Sequence, residues 1–129
     1  MLPDEATLET VPFQALVYKL SPQGQPLSAF VLPATDISSV EDMAVAPNGD
    51  LLLGGSYNGT FNGSAPAQGN DGFVVRTSPS GAIGWSKLLQ GPQNDFISGI
   101  SNAPNNRMVV GCYYFYQADF DGDALTTSP

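Results

Sequence analysis

The sequence predicts an all-β protein of four-stranded antiparallel sheets stacked on one another, and three observations carry that expectation. The first is composition: 42% of the 129 residues are hydrophobic and only 12% are charged, with 14 Gly and 11 Pro. That balance suits short strands joined by turns better than helices, which favour Ala, Glu and Lys. The second is an internal repeat. APNGDLLLG, Ala46 to Gly54, returns 57 residues later as APNNRMVVG, Ala103 to Gly111, and self-similarity at a fixed period marks an architecture of repeated units. The third is that the strands are apolar on both faces, since Leu16, Tyr18 and Leu20 alternate with Val17, and Phe73 and Val75 with Val74. Such a strand belongs in a sheet that lies between other sheets.

The 57-residue offset holds without a gap from about Ala15 to Tyr57. Val17 pairs with Val74, Ser21-Pro22 with Ser78-Pro79, Gly24 with Gly81, Gly54 with Gly111 and Tyr57 with Tyr114. The expected organisation is an N-terminal extension at 1–12, a first repeat at 13–70 and a second at 71–129. Each repeat reads as four strands. The first is expected at Ala15 to Leu20 and again at Gly72 to Thr77, β-branched and aromatic with one cation at the same place, Lys19 or Arg76. A Ser-Pro-x-Gly turn follows, Ser21 to Gly24 and Ser78 to Gly81, in the order that a type I turn prefers. The second strand runs from about Leu27 to Leu32, or Ile83 to Leu89, and after a longer loop the third covers Val40 to Ala46, or Ile97 to Ala103. Pro47-Asn48-Gly49 then sets a turn that needs a left-handed residue, and Asn106 replaces Gly49 because Asn also tolerates that conformation. The fourth strand is expected at Leu51 to Tyr57 and at Met108 to Tyr116.

Repeated four-stranded antiparallel sheets, stacked face to face, are the blades of a β-propeller. A β-sandwich of two four-stranded sheets is the alternative.

The second unit, NDGFVVRTSPSGAIGWSKLLQGPQNDFISGI, resembles the bacterial repeats of the seven-bladed propeller type. Those units read approximately as D-A-F-V-x-K-L-x-P-x-G, then W-x-K, then G-G-x-x-x-D-x-G, then I-A-V-D-x-x-G-N-x-Y-V-x-G. Asp71, Phe73, Val74, Arg76, Pro79, Gly81, Trp85, Lys87, Gly91, Asp95, Ile100, Val110 and Gly111 stand where that pattern places similar types. The first unit matches at Val17, Lys19, Pro22, Gly24, Gly49 and Gly54, among others, but lacks the tryptophan and the Gly-rich turn at Leu32 to Ser39. The resemblance implies a blade register of about 38–91 with a half-blade on either side, and a secreted or cell-surface bacterial protein. It carries over no catalytic residue. Because a ring needs about four to eight blades, it also implies either a longer propeller or copies that lend half-blades to one another.

Charge and chemistry exclude more than they assign. Twelve acidic residues against four basic ones give a net charge of −8, which makes nucleic acid and anionic membrane surfaces poor partners. The absence of histidine excludes Ser-His-Asp and Cys-His catalysis, and the single cysteine, Cys112, excludes an internal disulfide. No apolar run approaches a membrane span, and MLPDEATLET is acidic where a secretory signal would be basic and then apolar, so any leader lies outside this chain. An enzyme is not expected, because no acid–base pair or nucleophile is placed with meaningful spacing.

Two constellations qualify as candidate sites. Asp119, Asp121 and Asp123 alternate along a short stretch, a spacing by which carboxylates converge on calcium, although the rest of a calcium loop is missing and a solvated loop is the plainer reading. Tyr57, Tyr114 and Tyr116 could offer a stacking platform to a sugar or a partner side chain, or else fill the core between sheets. Asn58-Gly59-Thr60 and Asn62-Gly63-Ser64 fit the glycosylation acceptor pattern. Cys112 is expected as a buried strand thiol, and Glu41-Asp42 as solvated charge. The function expected is a non-catalytic structural or protein-interaction module without a cofactor, partnered by further blades or copies of itself. The alternative is a carbohydrate-binding or calcium-dependent binding module.

Overall fold

The computed structural model describes residues 14–126, so the extension expected at 1–12 lies outside the described residues. Ten antiparallel strands and no helix make up the described chain. The first hairpin joins β1 (Leu16–Leu20) to β2 (Pro26–Val31). Next comes a four-stranded meander of β3 (Ser38–Val45), β4 (Leu51–Tyr57), β5 (Asp71–Thr77) and β6 (Ile83–Gln90). A second separate hairpin joins β7 (Phe96–Ala103) to β8 (Arg107–Tyr113). The last pair, β9 (Gln117–Phe120) and β10 (Asp123–Thr126), extends the meander into a six-stranded sheet of order β10-β9-β6-β5-β4-β3.

The two separate hairpins lie on opposite faces of this central sheet. Val17 and Leu32 of the first hairpin region pack against Leu53, Tyr57, Phe73 and Val75. Phe61 stacks on Phe73 within this layer, with ring centroids 4.5 Å apart. On the other face Leu52, Val74 and Leu89 meet Ile97 and Ile100 of β7 and Ala118 of β9. β4 and β5, central in the sheet, are therefore buried on both sides along most of their length, and each fully buried Leu, Val or Phe contributes roughly 1.5–3 kcal/mol. Polar bonds also tie β3 to β7. The Asp42 carboxylate accepts the Ile100 N–H at 2.8 Å, and Asn102 Nδ2 donates to the Val45 carbonyl at 2.6 Å. Asp42 is thus an interlayer acceptor rather than solvated charge.

The turns follow their residues. Gly24 N–H donates to Ser21 O at 2.9 Å and Gly81 N–H to Ser78 O at 3.0 Å, both glycines with positive φ. Gly49 has φ 93°, and in the later hairpin Asn105 and Asn106 have φ 63° and 58°. Register shifts also fall 57 residues apart: between Lys19 and Leu20 as between Arg76 and Thr77, and between Val40 and Asp42 as between Ile97 and Gly99.

Three expectations need correction. The sheets hold two, six and two strands rather than four each, because β9 and β10 add to the edge of the meander while β1–β2 and β7–β8 stay separate hairpins, and none of these sheets closes into a barrel or a propeller. The last strand of the second unit stops at Tyr113 rather than Tyr116, since the chain turns at Tyr116 with φ 64° to enter β9. β1 is apolar on both faces but covered on one, with Val17 buried and Leu16, Tyr18 and Leu20 exposed.

Candidate functional site

Two carboxylates lie buried together at one end of the central sheet. Asp71 opens β5 and Asp95 precedes β7, and both are excluded from solvent. Asp71 Oδ1 accepts the Gly91 N–H at 3.3 Å, and Asp95 Oδ1 accepts the Phe115 N–H at 3.1 Å. Asp95 also donates its own N–H to Asn70 O at 2.7 Å, while its Oδ2 is buried without a hydrogen-bond partner among the described residues. Burial disfavours the charged form of both acids. It pushes Asp71 up to about 6, against the Gly91 hydrogen bond and with help from the Asp95 charge. Asp95 is raised as well, by burial first.

Residues 57 positions earlier make the same seam with neutral groups. Gln14 Nε2 donates to the carbonyls of Leu32 and Ala34, and Ser38 Oγ accepts the Ala15 N–H at 2.9 Å. Sequence reasoning matched Asp71 and Asp95 only to a motif and did not foresee their burial. The available signal was an acid at each strand entry directly before an apolar run.

The aspartates weighed as a calcium site, with a solvated loop as the plainer reading, form the β9–β10 hairpin. Asp121 and Gly122 have φ 50° and 99°, the geometry of a two-residue Asp-Gly turn. Asp119 accepts the Gly122 N–H across that turn. Asp121 pairs with Lys87 at 2.8 Å. Asp123 stands on the opposite strand beside a cleft. Strand geometry sets these three to separate tasks, and among the described residues no three His, Cys, Asp or Glu side chains gather to hold a metal.

The tyrosines divide in the same way. Tyr57 is 1% exposed, so it fills core rather than surface, and its hydroxyl accepts a hydrogen bond from Gln90 Nε2 at 3.2 Å. Tyr114 is half-buried against the β7 layer, whereas Tyr116 is 70% exposed. No shared platform joins all three. Cys112, expected inside, is exposed, because β8 carries it to the rim of a cleft that nothing covers. Desolvation by the apolar wall nonetheless pushes its thiol up, and the Asp95 charge adds to this.

Two unfilled surfaces flank the central sheet. Between Val74, Trp85 and Lys87 on one side and Met108, Val110 and Cys112 on the other lies a cleft of about 470 Å³. A second groove of about 320 Å³ runs on the opposite face, between Val17, Tyr18 and Leu20 and the β3–β4 residues Met43, Val45 and Leu51. Each exists because a two-stranded hairpin covers only part of a wider sheet. Exposed apolar side chains concentrate beside them: Val45 is 61% exposed, Val109 62% and Tyr113 59%. Phe96 and Tyr113 stack on the outer face of the β7–β8 hairpin with centroids 5.1 Å apart.

No helix among the described residues is long and apolar enough to cross a membrane. Comparison with protein-family models, characterised proteins and solved structures found no match.

Proposed function

We propose that the chain is a non-catalytic structural and protein-interaction module, in which the β3–β6 meander is one blade of propeller type and the flanking hairpins are half-blades awaiting partner strands. The carrying observation is that apolar strand faces stand uncovered on both sides of the central sheet, at Met43 and Val45 on one face and at Val109 and Tyr113 beyond the other. Contiguous exposed apolar surface of this kind marks association. The unpaired edges of two-stranded hairpins add a row of free backbone donors and acceptors. The resemblance to bacterial propeller repeats agrees with this reading and adds a secreted or cell-surface setting. Chemistry agrees too, for each buried acid gives one carboxylate oxygen to a backbone N–H.

Light scattering tests the reading. A mass of two, three or four chains is expected at micromolar concentration, the numbers that supply about four to eight blades. A clean monomer across that range overturns it.

A further inference from the structure

We propose that copies of this chain associate head to tail, with β8 of one copy pairing antiparallel to β1 of the next in the register by which β4 pairs with β5. The proposal rests on the interaction-module reading above and names its partner, a second copy, and its strand register.

The register comes from the chain's own central junction. There Leu53 lies opposite Val75, Gly54 opposite Val74 and Gly55 opposite Phe73. Moving 57 residues forward on one strand and 57 back on the other puts Val110 opposite Tyr18, Gly111 opposite Val17 and Cys112 opposite Leu16. Among the described residues β8 and β1 each keep one unpaired edge, so neither has to give up a described partner within its own chain.

The faces agree with the edges. Val17 already packs on the central sheet of its own copy, so a neighbour's Gly111 and Val109 beside it come to rest on that same sheet, over exposed Met43 and Val45. Gly54 shows what such a contact requires. A Cβ there would lie 2.7 Å from Ile97 and Ile100, whereas at Gly111 the nearest atom, Ser98 Oγ, is 3.6 Å away. The residues 57 before Ile97 and Ile100 are Val40 and Met43, and these would fill the space over Gly111. On the reverse face, Leu16, Tyr18 and Leu20 would cover the cleft beside Val74 and Trp85. Both new contacts continue interlayer surfaces already present in one chain, which is why a second copy fits better than an unrelated ligand. The interface is heterologous, so copies close into a ring when the rotation allows.

One term opposes it. Arg76 meets Asp50 at 2.9 Å in the central sheet, but the matching positions are Lys19 and Arg107, two cations on neighbouring copies. Replacing Arg107 with Asp therefore recreates the ion pair across the interface.

Cysteine crosslinking reads the register. Directly opposite strand residues are about 4.5–5.5 Å apart, within the disulfide range. Under mild oxidation Leu16→Cys should bond to native Cys112 of a neighbour and give covalent oligomers, which Cys112→Ala abolishes. Leu20→Cys, four residues or about 13 Å along the strand, should not. Independently, Arg107→Asp should tighten association roughly two- to fivefold at low salt, the size of an exposed ion pair. Oligomers that crosslink through Leu20→Cys as fast as through Leu16→Cys, or that Arg107→Asp weakens, overturn the register and leave the module reading standing. A monomer overturns both.

Discussion

Gly54 and Gly111 hold the same place in two hairpins and meet opposite surroundings. At Gly54 the isoleucines of β7 press onto the backbone so closely that a Cβ would collide with them at 2.7 Å, while at Gly111 the nearest atom, Ser98 Oγ, would lie at an ordinary contact distance of 3.6 Å. The seams beside them differ as well: Gln14 and Ser38 close the first with neutral groups, Asp71 and Asp95 the second with buried acids. One local sequence pattern thus serves as filled core in one half and as bare surface in the other. What separates them is whether a further layer of strands lies on top.

The largest test of that contrast is substitution at the glycines. Gly54→Val should cost about 2–3 kcal/mol of stability by overpacking, read as a lower urea midpoint. Gly111→Val should stay within about 0.5 kcal/mol in the separated chain and lower only the oligomer mass. Equal losses at both sites would erase the distinction between covered and open layers.

The seams supply a second, smaller effect that depends on pH. Asp71 titrates near 6 in the folded chain against an ordinary value of 3.8, so between those values the folded state holds the proton more tightly. Its contribution to stability is complete below the ordinary value, falls as pH rises through this window and is gone above about 6. Asp71→Asn should therefore raise stability at pH 8 by on the order of 2 kcal/mol and leave it nearly unchanged at pH 4. Paired denaturation curves at the two pH values check this. Asp42 and Asp50, held low by the Ile100 N–H and by Arg76 respectively, act in the opposite sense and lose their contribution on acidification. Stability should consequently peak near about pH 4 and decline from there towards pH 6.

The smallest difference lies in the cations. Arg76 has Asp50, whereas Lys19 and Arg107 occupy the matching positions without such a pair among the described residues. Asp50→Asn should lower the urea midpoint slightly at low salt and leave it unchanged at high salt, while Arg107→Asn should not change the stability of the separated chain. A salt-independent loss at Asp50 would mean that the carboxylate's hydrogen bond to the Asn48 side chain, not its charge, carries the effect.

Much of this architecture was legible in the residues. Ser-Pro-x-Gly sets both early turns, and Asn106 takes the left-handed conformation that Gly49 takes in the first half. β5 read as apolar on both faces and is buried on both, whereas β1 read the same way and is covered on one. The candidate site was far less legible. Tyr57 looked as available as Tyr116, yet one is core and the other exposed, because only the neighbouring layer decides which strand face meets water. Asp119, Asp121 and Asp123 share a spacing but not a purpose, since a two-residue turn at Asp121-Gly122 sends the chain back on itself between them.

By itself the sequence determined the strands, the turns and their 57-residue spacing, because these follow from φ preferences and side-chain alternation within a few residues. Tertiary structure alone decided which apolar faces are covered, which acids lose water and which edges stay open. Those are properties of what packs on a strand from a distant part of the chain, and alternation in a strand marks a face without naming its neighbour.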